Sequence, residues 1–344
     1  MKKIEKADNS NFERRLPIEF ENIRKILEQI SHYLILKKKA IYLAISGIIF
    51  LCFFSLSDCL ASDNGRFVFI KEGNIWAANA DGTGHRQLTF SGRDSQPAIS
   101  PDGSLVIYTS GQDGRTGYGN LYRISANGGN PQKMDIPGMN GSEYASFSPD
   151  GKSIVFIGIS DLKEKENETF FATMSVSIFE LKTKKVRKVI SNKNTLLDAG
   201  YLYETPSFSP DGKFIVYQHS GSDVAGGVTV IDLRGKTVFR FPKKISDPNP
   251  YWKPQFLPDG KRILCYSPLA TEYERDMIYI IEMPSGRKIK VAEGANPVLL
   301  KSGKAIVMER WRNKLTGVGK SDIYYLELTD NYDAKKIIQD ATLQ

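Results

Sequence analysis

The chain has 344 residues, 41% hydrophobic and 25% charged, with 29 Gly, 16 Pro, 18 Phe and 16 Tyr but only 3 Cys and 3 His. Those figures exclude a disordered chain, a multi-pass membrane protein and a disulfide scaffold. The formal charge of +8 is uneven: residues 1–39 hold 10 Lys/Arg against 6 Asp/Glu, and the remaining +4 forms no clustered basic footprint, so nucleic acid is not expected as a partner.

The tail 1–39 is longer than the few basic residues that usually open a signal peptide. Leu16, Phe20, Ile23, Leu27, Ile30 and Leu34 follow a 4-3-4-3-4 spacing that lines one face of a helix beginning near Pro17. Two readings of the tail stay open. It is a cytoplasmic helix that dimerises or docks, or translation starts at Leu36 and the tail is a start-site artefact.

After Lys37-Lys38-Lys39 an apolar run extends from Ile41 to Leu56, followed by Asp58-Cys59-Leu60-Ala61-Ser62-Asp63. A basic flank stays on the cytoplasmic side, so the run exports the chain downstream of it. Its 16 residues fall between a signal-peptide core and the ~20 of a comfortable membrane span. Residues 40–61 therefore read as a signal peptide or a transmembrane anchor. Cleavage after Ala61 would place the small residues Cys59 and Ala61 where signal peptidase reads. Lipid attachment at Cys59 is a third route, in which Asp58 occupies a place normally given to a small residue. The exported part belongs in the periplasm or another extracytoplasmic space. It touches the membrane only through residues 40–61, and only if they are kept.

From residue 62 the sequence repeats. Ser100-Pro101-Asp102-Gly103, Ser148-Pro149-Asp150-Gly151, Ser209-Pro210-Asp211-Gly212 and Leu257-Pro258-Asp259-Gly260 are four good copies. Ser62-Asp63-Asn64-Gly65 and Leu300-Lys301-Ser302-Gly303 are two worn ones. Between equivalent positions the spacings are 38, 48, 61, 48 and 43 residues, the period of propeller blades. Each copy predicts a hairpin: Pro presets φ at the first corner, Asp bonds back to the local backbone, and Gly takes the left-handed φ.

Pro97-Ala98-Ile99, Pro206-Ser207-Phe208, Pro254-Gln255-Phe256 and Pro297-Val298-Leu299 precede the turns. Apolar triplets such as Val106-Ile107-Tyr108, Ile215-Val216-Tyr217 and Ile306-Val307-Met308 come after them. Unbroken apolar triplets predict strands covered on both faces. A third strand and a more basic fourth complete each unit, as at Lys184-Lys185-Val186-Arg187-Lys188. The fold class is all-β: a six-bladed propeller over 62–344, preceded by the signal or anchor segment. No inner strand precedes Asn64, so residues 340–344 are expected to close the ring beside 66–70.

The Ser-Pro-Asp-Gly-Lys hairpins at 148–152 and 209–213, the second with the Pro-x-aromatic lead-in Pro206-Ser207-Phe208, resemble the TolB-like propeller repeat, which also occurs in prolyl-oligopeptidase-type peptidases. TolB proteins carry an α/β domain ahead of the propeller. Residues 62–65 already open the first blade here, so that domain is not expected. The resemblance implies binding of envelope proteins at the mouth of a central channel.

Catalytic signatures are missing: there is no G-x-S-x-G, H-E-x-x-H, P-loop or Cys-x-x-Cys. A peptidase would need a hydrolase domain, and fewer than twenty residues remain after Leu326. The related oligogalacturonate-lyase propeller holds a metal with several histidines, whereas only His85 and His219 are exported here. A metal-dependent lyase is therefore the third reading, and no cofactor or metal is expected. Asp102, Asp150, Asp211 and Asp259 are turn formers rather than calcium ligands. The lysines at 182, 184, 185 and 188 protect an exposed sheet edge.

Loop asymmetry carries the functional expectation. The Pro-Asp-Gly turns share one face; the loops 110–119, 158–174, 191–204, 242–252, 267–276 and 310–321 share the other. These loops and the strand ends beside them supply Arg93, Arg115, Tyr118, Glu143, Tyr201, Tyr203, Tyr251, Trp252, Tyr273, Arg275, Trp311 and Arg312. Tyr, Trp and Arg dominate binding hot spots. The expected role is non-enzymatic binding of an envelope protein or peptide through this face. An envelope carbohydrate is the alternative ligand, because exposed Tyr and Trp can stack on sugar rings. Mass spectrometry of the N-terminus in separated fractions tests the export reading. A soluble chain starting at Ser62 is the outcome of cleavage, and an intact chain in the membrane fraction is the outcome of anchoring.

Overall fold

The computed structural model describes residues 65–344 except 112–117, 166–168, 197–202, 222–223, 243–249, 269–275, 312–320, 330–333 and 340–344. The tail 1–39, the segment 40–61 and the ring-closing segment 340–344 lie outside the described residues. The described chain forms six antiparallel sheets arranged as propeller blades, with no helix among the described residues. Blade 1 holds β1 (Arg66–Lys71), β2 (Asn74–Asn79) and β3 (Arg86–Gln87). Blade 2 holds β4 (Ser95–Ile99), β5 (Leu105–Ser110), β6 (Asn120–Ser125) and β7 (Gln132–Lys133). Blade 3 holds β8 (Gly141–Phe147), β9 (Ser153–Lys165), β10 (Thr169–Glu180) and β11 (Val186–Leu196). Blade 4 holds β12 (Tyr203–Phe208), β13 (Phe214–Gly221), β14 (Val224–Asp232) and β15 (Thr237–Phe241). Blade 5 holds β16 (Trp252–Phe256), β17 (Arg262–Ser267), β18 (Met277–Glu282) and β19 (Lys288–Glu293). Blade 6 holds β20 (Ala295–Leu299), β21 (Ala305–Trp311), β22 (Ser321–Glu327) and β23 (Ala334–Ile338). Blades 2 to 6 have four strands in chain order. Blade 1 has three among the described residues, its β1 standing where the others place their second strand.

The hairpin between first and second strands is built as its residues dictate. In blade 4 the Ser209 hydroxyl donates to Asp211 Oδ1 at 2.6 Å and accepts from the Phe214 N–H at 2.9 Å, while Asp211 Oδ1 accepts from the Lys213 N–H at 3.1 Å. Gly212 closes the turn at φ 70°. The Ser148 and Asp150 side chains repeat these bonds in blade 3. Those bonds hold the Asp150 and Asp211 carboxyls below the usual range, with the serine hydroxyl as the leading cause.

The second strands explain the apolar triplets. Along β5, Val106 and Tyr108 pack toward blade 1 while Ile107 packs toward blade 3. Along β17, Ile263 and Cys265 face blade 4 while Leu264 and Tyr266 face blade 6. Successive side chains of a strand point to opposite faces, so a blade with a neighbour on each side needs apolar residues at every position. Six such clusters fill the six gaps between blades. One of them, Phe67, Phe69 and Ala78 with Val307, Ile323 and Ile338, joins blade 6 to blade 1. Cys265 is fully enclosed, and burial pushes its thiol far above the ordinary range.

Blade 3 departs from expectation. The segment 158–174, expected as a loop, is largely the far end of a long hairpin in which Lys165 pairs with Thr169, and β11 carries pairing on to Leu196. The physical reason is a small second core, where Ile159 and Ala172 pack with Tyr118 and Leu162 beyond the rim of the blade. At the ring seam, Phe69→Ala should lower stability by about 3–5 kcal/mol. Val238→Ala, at a position 49% exposed, should change it by less than about 0.5 kcal/mol. Urea unfolding of both variants checks the contrast.

Candidate functional site at the central channel

Each inner strand of blades 2 to 6 carries the same irregularity. Ser95 pairs with Thr109, but the next pair is Ala98 with Ile107, so β4 holds one residue more than β5 across that step. The same extra residue occurs between Glu143 and Ser146, Glu204 and Ser207, Trp252 and Gln255, and Ala295 and Val298. At every one of these bulges a non-glycine residue is left-handed: Gln96 (φ 52°), Tyr144 (53°), Thr205 (46°), Lys253 (50°) and Asn296 (50°). Such a backbone costs roughly 1–2 kcal/mol per residue, and for β-branched Thr205 it is an outlier. In four blades the following residue is proline (Pro97, Pro206, Pro254, Pro297), which has no N–H to leave unpaired at a bulge.

The five left-handed residues line a central cavity of about 1080 Å³, together with Val68 and Ile70 of β1, the loop residues Arg93 and Asp94, and Pro101 and Pro149 of the hairpins. Pockets for ligands are typically ~300–1,000 Å³. The bulges lie near the start of each inner strand, at the end opposite the Pro-Asp-Gly turns.

Polar groups from neighbouring blades meet around this cavity. Gln96 Oε1 accepts from the Thr109 hydroxyl at 2.7 Å and from the Tyr144 N–H of the next blade at 3.1 Å. Gln218 donates to Glu204 Oε2 at 2.7 Å and accepts from the Lys253 N–H at 3.3 Å. Asn296 donates to Glu309 Oε2 at 2.7 Å. One residue past each proline position, Ser146 donates to the Pro206 carbonyl at 2.8 Å and Gln255 to the Pro297 carbonyl at 2.5 Å, each bond crossing from one blade to the next. Burial pushes the Glu204 carboxyl up to about 7, with the Glu143 carboxylate acting in the same direction. Burial also brings the Lys253 ammonium down to about 7, against the pull of Glu309 and Glu204.

Among the described residues, those expected on a binding face divide in three. Arg93 is exposed at the cavity rim. Tyr203 and Trp252 are half-buried, each edge-on to a tyrosine, Tyr217 and Tyr266 respectively. Tyr118, Glu143 and Tyr251 are buried, and here the structure corrects the expectation. The Tyr118 ring covers Gly141, where a β-carbon would stand 2.1 Å from the ring. Glu143 accepts the Gly119 N–H at 2.6 Å, and Tyr251 accepts from Lys288 Nζ at 2.6 Å inside the blade 4–blade 5 core. Arg115, Tyr201, Tyr273, Arg275 and Arg312 lie outside the described residues, as does the Trp311 side chain.

Sequence reasoning missed Gln96, Tyr144, Thr205, Lys253 and Asn296; the signal available, for all but Tyr144, was a place directly ahead of a repeated proline. It also missed Phe90, a phenylalanine 80% exposed three residues before Arg93. His219 bonds the Thr229 hydroxyl at 2.9 Å and is brought down to about 4 by burial, while His85 is exposed on blade 1. Among the described residues no three His, Cys, Asp or Glu side chains gather as a metal site.

The TolB beta propeller domain family matches residues 66–252. The chain is 27% identical over 128 residues to the Tol-Pal system protein TolB of Campylobacter jejuni, a stretch covering 34% of this chain and 31% of that relative. The chain thus matches less than a third of that relative's length. TolB of Acinetobacter baumannii superposes with TM-score 0.58 at 17% identity, over 81% of this chain and 66% of the other. A structure named after TolB from Agrobacterium tumefaciens gives 0.52 at 19%, over 68% and 78%. At such identities the structural likeness concerns the fold alone.

The raised Glu204 carboxyl has a measurable consequence. Unfolded it titrates near 4.5 and folded near 7, so between those values the folded chain holds the extra proton and stability falls as pH rises. Glu204→Gln removes that titration. Urea midpoints measured from pH 4.5 to 7 should fall less steeply in the variant than in the parent.

Proposed function

Because the chain belongs to the TolB beta propeller domain family, we propose that it is a non-enzymatic binding propeller of the cell envelope that engages a protein partner at the bulge end of its channel. The observation that carries this reading is the ring of five left-handed residues around a cavity of about 1080 Å³. Strained backbone kept at equivalent positions of five blades gathers where a site is held in shape. The relative's name places it in the Tol-Pal system, which supports an envelope setting and a protein partner for this chain as well. The apolar run at 41–56 supports export, with cleavage after Ala61, retention as an anchor or lipid attachment at Cys59 as the routes.

Binding, rather than catalysis, also fits the chemistry of the cavity wall. Lys253 is matched by Glu204 and Glu309, His219 is held neutral by burial, and the Cys265 thiol is enclosed between blades. Phe90 and Arg93 stand exposed on the loop between β3 and β4, an aromatic and a guanidinium of the kinds that anchor interfaces.

A photo-crosslinking side chain placed at Phe90 or Arg93 of the full chain should give an adduct with an envelope protein in intact cells. The same probe at Asp150 or Asp211, on the hairpin face, should give none. The pair Phe90→Ala and Arg93→Ala should weaken the captured complex more than tenfold; equal adducts from both faces, or none from the channel face, overturn the reading.

A further inference from the structure

Asp94 is the buried charge of the channel that the fold itself does not use. It is only 4% exposed, lines the cavity, and its Oδ2 has no hydrogen-bond partner. Thr205, the residue with the most strained backbone of the ring, lines the same cavity and carries a second orphan polar atom, its enclosed Oγ1. A buried polar atom without a partner bears its full desolvation penalty, and native chains keep few of them. The position of Asp94 is fixed from outside: its N–H donates to the Gly73 carbonyl at 2.8 Å, and Gly92 donates to Asn74 Oδ1 at 2.9 Å, pinning the 90–94 loop to the turn between β1 and β2.

From this geometry we infer that the channel accepts a basic side chain, Lys or Arg, carried on an extended segment of a polypeptide partner, with the Asp94 carboxylate as its counter-ion. An ionised carboxylate only accepts hydrogen bonds, so its missing partner must be a donor, and a cationic donor forms the stronger bond. The half-buried Lys253 on the same wall already has Glu204 and Glu309 near it, which leaves Asp94 as the unmatched one. A cavity of about 1080 Å³ has room for a side chain and the backbone on either side of it. On the same loop Arg93 is exposed at the rim and Phe90, three residues before it, is 80% exposed, where the rest of the segment would pass. The inference rests on the binding role proposed above and specifies its chemistry.

The test is a phage-displayed library of random nine-residue peptides selected on the full chain, followed by binding measurements with the selected peptides. Selected peptides should share a Lys or Arg, and replacing it with norleucine should weaken binding at least tenfold. Asp94→Asn should weaken the parent peptides to the same extent, while its urea midpoint stays equal to the parent's or rises, because the lost charge had no partner in the folded chain. Selection of peptides without a basic residue, unchanged binding by Asp94→Asn, or a lowered urea midpoint would each overturn the inference. If Asp94→Asn still forms the Phe90 adduct in cells and binds peptides as the parent does, only the basic-residue chemistry fails. If neither adduct nor peptide is found with the parent chain, the binding role itself fails.

Discussion

Contact between blades, rather than within them, is what holds this molecule in one shape. A single four-stranded blade exposes two apolar faces and has no interior of its own; each becomes stable only when a neighbour covers it. The residues of the second strands show the arrangement most directly. Ile154 and Phe156 turn toward blade 2 while Val155 and Ile157 turn toward blade 4, all of them fully enclosed. The same alternation carries around to Phe67 and Phe69, which meet Val307 and Ile323 of the last blade. Among the described residues no strand is shared across that seam between first and last blades.

Such a ring leaves its inner strands facing one another across a channel, and the bulges decide what that channel presents. A regular strand would send alternate side chains into the two blade interfaces. The extra residue turns one side chain per blade toward the axis. Gln96 uses that position to accept from the Tyr144 N–H of the next blade, and Gln218 of β13 accepts from the Lys253 N–H of blade 5, so these bonds tie together blades that the apolar clusters merely pack. Order at the channel therefore comes from directional bonds, and order in the gaps from close packing.

Legibility in the sequence followed the same division. Hairpins such as Ser209-Pro210-Asp211-Gly212 were readable because each residue type has one local use, and the structure displays those uses bond by bond. Strands such as Val106-Ile107-Tyr108 were readable because burial on both faces removes alternation. The bulge ring was not readable in the same way: Gln96, Tyr144, Thr205, Lys253 and Asn296 share a backbone conformation and no side-chain chemistry. Tyr118, Glu143 and Tyr251 were assigned to a surface because they sit at loops and strand ends. What encloses them is a bare Gly141, the Gly119 N–H and the ring of Phe241, features that residue type does not announce. The long blade 3 hairpin was hidden by a small cluster whose members come from three separate segments.

Cys265 draws one more property from the packed ring. It is enclosed between blades 4 and 5, and its thiol is held protonated by burial. In an oxidising compartment a solitary exposed thiol would couple chains together, whereas this one is out of reach of oxidants and of other chains while the blades stay closed. Its rate of alkylation thus becomes an internal clock for the parting of blade 5 from blade 4, a native reporter of how often the propeller breathes.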